Sequence, residues 1–194
     1  MGRILLHTPV ASSHTYATWD PAAKGTNITL STGNLQIHSS GLGQVRATIG
    51  LTSGKWYYEV LVNGTSSSNQ VIGFVAGTFT ASHYTGQDTT SWAYYAQSGS
   101  SEGGSVMHNG GGGVNSGLTN YTVSNIIGVA INADTGSVQF YKNGVSIGTP
   151  VTSLSGTIYP AEGSGGGDMA GLANFGASSF AYTVPTGYNA GVYT

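Results

Sequence analysis

The amino-acid sequence predicts an all-β chain folded as a two-sheet antiparallel β-sandwich. Short runs of β-branched and aromatic residues alternate with clusters of Gly, Asn, Asp and Ser, a pattern typical of strands joined by turns. No run keeps an apolar period of 3.6 residues over three helical turns. The 194 residues are enough for one domain with a sizeable core.

The clearest predicted strand is Lys55–Val62. Strict alternation places its even-numbered side chains on one face and its odd-numbered side chains on the other. We interpret the even-numbered face as the one that points into the core. The same alternation, applied along the chain, predicts four large aromatic core residues: Trp56, Tyr58, Trp92 and Phe140.

Residues 125–151 predict a three-stranded meander. Its strands are Ile126–Asn132, Ser137–Lys142 and Val145–Val151. Gly136 occupies the first turn at a position that needs a positive φ. Asn143-Gly144, between the second and third strands, is typical of a two-residue type I′ hairpin turn.

Four polar or glycine-rich stretches are predicted as loops: residues 64–70, 78–90, 97–117 and 163–171. The third contains four consecutive glycines, which have no fixed conformational preference of their own. Loops as long as 78–90 and 97–117 are functional or held by neighbouring structure. Because these two flank the strand at residues 92–95, we expect them to emerge at opposite ends of it.

Charged side chains are sparse. They make up 6% of the residues, and the formal net charge is −2. Nucleic-acid binding needs a basic surface, so this class is excluded. The chain has no cysteine for a disulfide or a zinc site. Its longest apolar stretch, residues 126–131, is too short to span a membrane, and its first apolar run is too short for a signal peptide.

The sequence contains no arrangement typical of catalysis or metal binding. The seven carboxylates do not cluster as a glycosidase pair requires. Glu59 stands alone in its strand, and Asp134 is explained by its turn. The histidines lack metal-ligand spacing, and the glycine runs lack the lysine of a phosphate-binding loop. We therefore expect a non-enzymatic chain without metal or cofactor.

Eight polar or aromatic residues in or beside the loops are candidate ligand contacts: His83, Tyr84, Gln87, Asp88, Tyr95, His108, Asn109 and Tyr121. Residues 78–90 are the expected ligand side, because they offer an aromatic ring and polar groups together. The histidines could instead be solvated loop side chains that contact no ligand. The tyrosines could instead pack within the fold.

Several motifs, in order, resemble those of SPRY domains. They are residues 54–60 (GKWYYEV), 71–75 (VIGFV), 91–94 (SWAY), 127–131 with 140–144 (IGVAI and FYKNG), 159–161 and 173–176. The resemblance extends roughly from residue 18 to residue 187. It implies a concanavalin-like sandwich of two antiparallel sheets that binds its ligand through loops at one end.

The two ends of the matching region resemble SPRY modules of bacteriophage proteins, in residues 19–30, 45–50 and 180–188. No PRY half precedes the match. This narrower resemblance implies a virion component, located in the virion, that binds a host-surface glycan or protein or decorates the particle. Two alternatives remain: a purely structural virion subunit and an intracellular protein-binding adaptor.

The expected organisation has three parts. Residues 1–15 form an N-terminal arm, residues 16–187 the sandwich, and residues 188–194 a C-terminal tail. The arm contains Ile4, Leu5 and Leu6, which we expect to contact another chain. The expected partners are other virion proteins, copies of the chain itself and a host-surface glycan or protein, with neither nucleic acid nor membrane insertion.

Overall fold

The computed structural model describes residues 13–66, 69–96 and 104–194. These residues form fourteen β-strands and contain no helix. The strands are β1 (Trp19–Lys24), β2 (Ile28–Ser31), β3 (Gln36–Ser39), β4 (Gly43–Ala47), β5 (Lys55–Val62), β6 (Gln70–Ala76), β7 (Ser91–Tyr95), β8 (Ser105–His108), β9 (Gly111–Asn115), β10 (Ile126–Asn132), β11 (Ser137–Lys142), β12 (Val145–Val151), β13 (Ile158–Ser164) and β14 (Met169–Asn174).

The strands form two antiparallel sheets of seven. Sheet 1 has the order β1-β4-β13-β6-β7-β8-β9, and sheet 2 has the order β12-β11-β10-β5-β14-β3-β2. The predicted two-sheet antiparallel sandwich is therefore confirmed.

The core lies between the two sheets. Tyr58 from β5, Phe74 from β6 and Phe140 from β11 are almost completely buried in it. The predicted register of β5 is confirmed at residues 58, 60 and 62, but Trp56 and Trp92 are only partly buried and pack against the margin of the core. Each is the second residue of its strand.

The other face of β5 is also covered. Tyr57 and Glu59 are buried because residues 180–182 cross the outer face of sheet 2. The carboxylate of Glu59 accepts hydrogen bonds from the backbone N–H groups of Ala181 and Tyr182, at 2.9 and 3.1 Å, and from the Tyr57 hydroxyl at 3.0 Å. Glu59 is thus a structural link between a strand and the C-terminal segment.

The meander is confirmed. Strands β10, β11 and β12 pair in sequence. Asn143 and Gly144 both have positive φ, at 49° and 78°, as a type I′ turn requires. Gly136 has φ 61°.

Two of the predicted loops contain strand residues. Residues 105–108 and 111–115 form the β8–β9 hairpin, within the stretch 97–117 that was predicted as one loop; residues 97–103 lie outside the described residues. The stretch 163–171 contains the end of β13 and the start of β14. Glycine carries no local preference, so main-chain pairing with neighbouring strands decides these segments.

Residues 15–17 pair with the C-terminal residues 192–194. The backbone N–H of Thr15 donates to Thr194 O at 3.1 Å, and that of Ala17 donates to Val192 O at 2.8 Å. Val192 is fully buried, so residues 188–194 pack on the sandwich. The assembly contacts predicted at Ile4, Leu5 and Leu6 lie outside the described residues.

Candidate functional site

Residues 78–90 connect β6 to β7 as a loop that is anchored to β4. The side chain of Gln44, which is fully buried, donates to Thr80 O at 2.8 Å, and its backbone N–H donates to Ala81 O at 3.2 Å. The hydroxyl of Thr85, also buried, donates to Gln44 Oε1 at 3.0 Å. One glutamine thus holds the loop at three points and orders it before any ligand arrives.

The polar candidates of this loop bond mainly to one another. His83 Nδ1 lies 2.5 Å from Asp88 Oδ1. Gln87 Oε1 accepts from the backbone N–H of Tyr84 at 3.2 Å. The hydroxyl oxygen of Ser91 accepts from the N–H groups of residues 86 and 88. These side chains therefore define the shape of the loop, in which Tyr84 is partly buried.

The β8–β9 turn lies beside this loop. The N–H of Asn109 donates to Asp88 O at 3.2 Å, and that of Gly110 donates to Gly86 O at 3.1 Å. The two loops were predicted to emerge at opposite ends of β7, and for residues 109–110 this is wrong. The physical reason is that β8 runs antiparallel to β7 and returns the chain to the end where residues 78–90 lie.

Tyr84 and Tyr95 lie on the wall of one cavity of about 150 Å³, which we call the tyrosine pocket. The cavity is completed by four further residues: Asn69, Val71, Met107 and Gly165. Val71 and Met107 are buried and give it an apolar floor. The hydroxyl of Tyr95 donates to Asn69 Oδ1 at 3.1 Å, which places a polar pair on the wall.

The rim of the tyrosine pocket is glycine backbone. Asn69 Nδ2 donates to Gly166 O at 2.5 Å, and the N–H of Gly165 donates to Asn69 O at 2.8 Å. Gly166 and Gly167 have φ of 131° and 100°, which side chains other than glycine rarely allow. The rim therefore presents main chain without side chains in front of it.

His108 is placed away from the tyrosine pocket. Its ring stacks on Trp92 with centroids 4.2 Å apart and an interplanar angle of 6°, and its Nδ1 lies 3.0 Å from Ser91 O. Both rings line a different cavity, between β9 and β12. Asn109 is exposed at the β8–β9 turn.

Tyr121 is a core residue, so its assignment as a loop contact is wrong. It is fully buried, and its single hydroxyl proton is shared between the carbonyl oxygens of Gln70 and Tyr94, at 2.9 and 3.1 Å. Burial raises the pKa of Tyr121 well above its ordinary value of 10. The segment before β10 is irregular and mostly exposed, but the side chain of Tyr121 points into the core.

Sequence reasoning found Tyr84 and Tyr95 but missed the other residues of the tyrosine pocket. Asn69 and Gly165 belong to stretches predicted only as loops, and Val71 has the pattern of an ordinary strand residue. Met107 lies in a hairpin that was not predicted. One sequence feature could have pointed to the site. An asparagine begins segment 69–71 and glycines fill segment 163–167, and both residue types are typical of turns.

The described part of the chain contains no group of three His, Cys, Asp or Glu side chains that could hold a metal ion. No helix there is long and apolar enough to cross a membrane.

The described residues form a two-sheet antiparallel β-sandwich, and comparison with known families identifies which one. The SPRY domain model matches residues 55–176. This chain belongs to the SPRY family.

Its relatives include Ran-binding protein 9 of Xenopus tropicalis, 30% identical over 176 residues that cover 86% of this chain and 31% of that protein. Human Ran-binding protein 9 is also 30% identical, over 86% of this chain and 23% of its own length. The chain thus spans less than a third of these relatives.

Two solved SPRY domains share the fold. The SPRY domain of human HERC1 superposes with a TM-score of 0.60 at 17% identity, covering 80% of this chain and 96% of that one. The TRIM65 PSpry domain superposes with a TM-score of 0.60 at 19% identity, covering 81% and 92%.

These findings confirm the SPRY resemblance and correct the narrower interpretation. The relatives are animal proteins named for binding Ran, so the function as a virion component and the location in the virion are wrong. Nothing supports a bacteriophage origin, other virion proteins as partners, or a host-surface glycan as ligand. The motifs of the two ends are compatible with a cellular SPRY domain as well, and this is why they misled the interpretation.

Proposed function

We propose that this chain is a non-enzymatic, intracellular protein-interaction module that binds a partner protein through the tyrosine pocket. The observation that carries the proposal is the position of Tyr84 and Tyr95. The two aromatic rings line one cavity together with Val71 and Met107. Tyr84 is on the ordered loop, and Tyr95 is the last residue of β7. Membership of the SPRY family and the animal relatives support a protein partner inside a cell.

The pocket has the size and chemistry to hold one side chain. A cavity of about 150 Å³ that is lined by both apolar and polar groups has room for a group about the size of benzene. Among the described residues, no lysine, arginine or carboxylate lines it, and burying a charge there without a partner is costly. We therefore expect it to accept an apolar or aromatic side chain of the partner.

The rim supplies the polar part of recognition. Beside the bond that joins them, the Asn69 amide keeps a second N–H and the Gly166 carbonyl keeps a second lone pair. A peptide that places one side chain in the pocket brings its own main chain close to these groups. Interfaces commonly combine a buried anchor side chain with a polar rim in this way.

The proposal that the chain is non-enzymatic is supported by the structural roles of three acidic residues. Glu59 is occupied by the C-terminal segment, and Glu162 is buried between the sheets. Asp88 is paired with His83 inside its own loop. Each of these has a structural role away from the tyrosine pocket.

The test is selection of binders from a displayed library of random peptides, followed by calorimetric titration of the selected peptides. We expect binders enriched in one apolar or aromatic position. Their affinity should fall at least about tenfold, or about 1.4 kcal/mol, for Tyr84→Ala. Tyr95→Phe, which removes only the hydroxyl bonded to Asn69, should have a smaller effect.

Val145→Ala is the matched control, because Val145 is 66% exposed on β12 of the other sheet. It should bind the selected peptides as the parent does. Selected peptides that bind the Tyr84→Ala variant with unchanged affinity would show that recognition happens elsewhere on the domain.

A further inference from the structure

Arg46 is a cation without an acceptor among the described residues. It lies on β4 between Val45 and Ala47, which both point into the core, so its side chain stands on the outer face of sheet 1. No described residue accepts a hydrogen bond from its guanidinium, and its Nε is buried without a partner. The two ion pairs of the described residues both use histidine, and neither includes Arg46. An unpaired charge at a partly buried position is costly, so Arg46 is suited to an anion from another molecule.

Two aromatic rings hold the guanidinium in place. Arg46 Cζ lies 4.2 Å from the centre of the Tyr159 ring and 5.6 Å from that of the Phe79 ring, and both distances are in the range of cation–π attraction. The Tyr159 ring is itself fixed by close packing on Gly50, where an added Cβ would lie 2.5 Å from Tyr159 Cζ. The guanidinium is therefore ordered before any ligand arrives, which lowers the entropic cost of binding. We call Arg46, Phe79 and Tyr159 the arginine site.

The terminal edge of the guanidinium is the part that a ligand can reach. Nε is the one nitrogen of this group that is both buried and without a partner. The two terminal nitrogens also lack an acceptor among the described residues, so they are open to solvent. Their N–H groups form a planar fork that matches the two oxygens of a carboxylate.

We propose that the arginine site binds the side-chain carboxylate of an aspartate or glutamate in a partner protein. The charge of the site selects this ligand. Arg46 supplies one positive charge, and the other described cations are engaged elsewhere: Lys24 and Lys142 donate to backbone carbonyls, and Lys55 lies on sheet 2. A single positive charge matches the one negative charge of a carboxylate, whereas a phosphate ester carries about −1.5 to −2. Arginine and tyrosine are also enriched at the positions that contribute most to protein–protein binding.

This inference goes beyond the proposed function and is separate from it. The arginine site and the tyrosine pocket have no residue in common. They are tested by different substitutions, Arg46→Met for the arginine site and Tyr84→Ala for the tyrosine pocket, so either proposal can fail while the other holds.

The first test is selection of peptides from a displayed random library on the parent chain, after removal of the peptides that bind Arg46→Met. We expect the remaining peptides to share one aspartate or glutamate. In calorimetric titration their affinity should fall at least about tenfold for Arg46→Met, because the acidic side chain loses its partner. It should also fall for Arg46→Lys, which keeps the charge and the aliphatic stem but lacks the planar fork.

Lys55→Met is the matched control. Lys55 is an exposed cation on β5 of the other sheet, with its Nζ 6.0 Å from the centre of the Tyr188 ring, so this substitution also removes one positive charge from beside an aromatic ring. The variant should bind the selected peptides as the parent does. Thermal melts followed by circular dichroism establish that all three variants are folded.

The second test changes the peptide. Replacing the shared acid by its amide should lower the affinity for the parent about as much as Arg46→Met does, and the two changes together should cause no further loss. A peptide with phosphoserine in place of the acid should bind less tightly. The proposal is overturned if no selected peptide shares an acid, or if the peptides bind either Arg46 variant with unchanged affinity. Tighter binding of the phosphoserine peptide, or displacement of the acidic peptide by an equal concentration of free acetate, overturns it as well.

Discussion

Glu162 makes the stability of this domain depend on pH in a direction opposite to that of most carboxylates. The side chain is fully buried between the sheets. Its Oε1 accepts from Gln70 Nε2 at 2.7 Å, whereas Glu162 Oε2 and Gln70 Oε1 are both buried and have no hydrogen-bond partner. A proton on the Glu162 carboxyl supplies the donor that this pair of acceptors lacks. Gly171 faces the carboxyl, and a Cβ there would lie 2.0 Å from Oε1.

Burial raises the pKa of Glu162 from 4.5 to about 8, against a smaller opposing effect of the hydrogen bond from Gln70. Each pKa unit corresponds to about 1.4 kcal/mol, so the difference is worth about 5 kcal/mol. The folded chain holds the proton more tightly than the unfolded chain. The stabilisation is therefore complete below about pH 4.5 and is lost as the pH rises to about 8, at about 1.4 kcal/mol per pH unit.

Urea unfolding at several pH values between about 5 and 8 measures this slope. The control is Glu162→Gln, which keeps the shape and supplies an amide donor at all pH values. The parent should lose stability relative to this variant as the pH rises. Equal slopes for the two proteins would mean that Glu162 does not carry a proton in the fold, and the reasoning from burial would be wrong.

Two further predictions concern packing and backbone. Tyr58→Ala should lower the free energy of unfolding by about 3–5 kcal/mol because the ring is fully buried. Trp56→Ala, at a partly buried position, should lower it by about 1–3 kcal/mol. Equal losses in urea unfolding would contradict this ranking. Gly144→Ala should cost more than the about 1–2 kcal/mol of a left-handed backbone, because its Cβ would lie 2.6 Å from Tyr182 Cδ1. Gly33→Ala, with a similar φ and no atom within 4 Å, is the control, and thermal melts that rank the two variants equally would exclude the steric cause.

The alternation of side chains within β5 shows what a local sequence pattern can and cannot predict. It correctly predicted that Tyr58 and its even-numbered neighbours share a face, because strand geometry alone dictates this. It could not predict that Tyr57 and Glu59 on the opposite face are buried as well. Their cover, residues 180–182, lies more than a hundred positions further along the chain.

The tyrosine pocket shows the same limit at the candidate site. Tyr84 and Tyr95 were chosen for residue type and for their position in or beside loops. Their meeting on one cavity depends on the strand order of sheet 1, in which β6, β7 and β8 are adjacent. Tyr121, chosen on the same grounds, is buried, because a local sequence does not reveal where an irregular segment runs.

What the sequence determined by itself is local: the all-β class, the β10–β12 meander with its Asn143-Gly144 turn, the family motifs and the shortage of charge. Each follows from preferences that act within a few residues. The tertiary structure decided the β8–β9 hairpin, the burial of Glu162 and the tyrosine pocket. Glycine backbone takes its conformation from its neighbours, and a carboxyl or a ring is exposed or buried according to which distant strand packs over it.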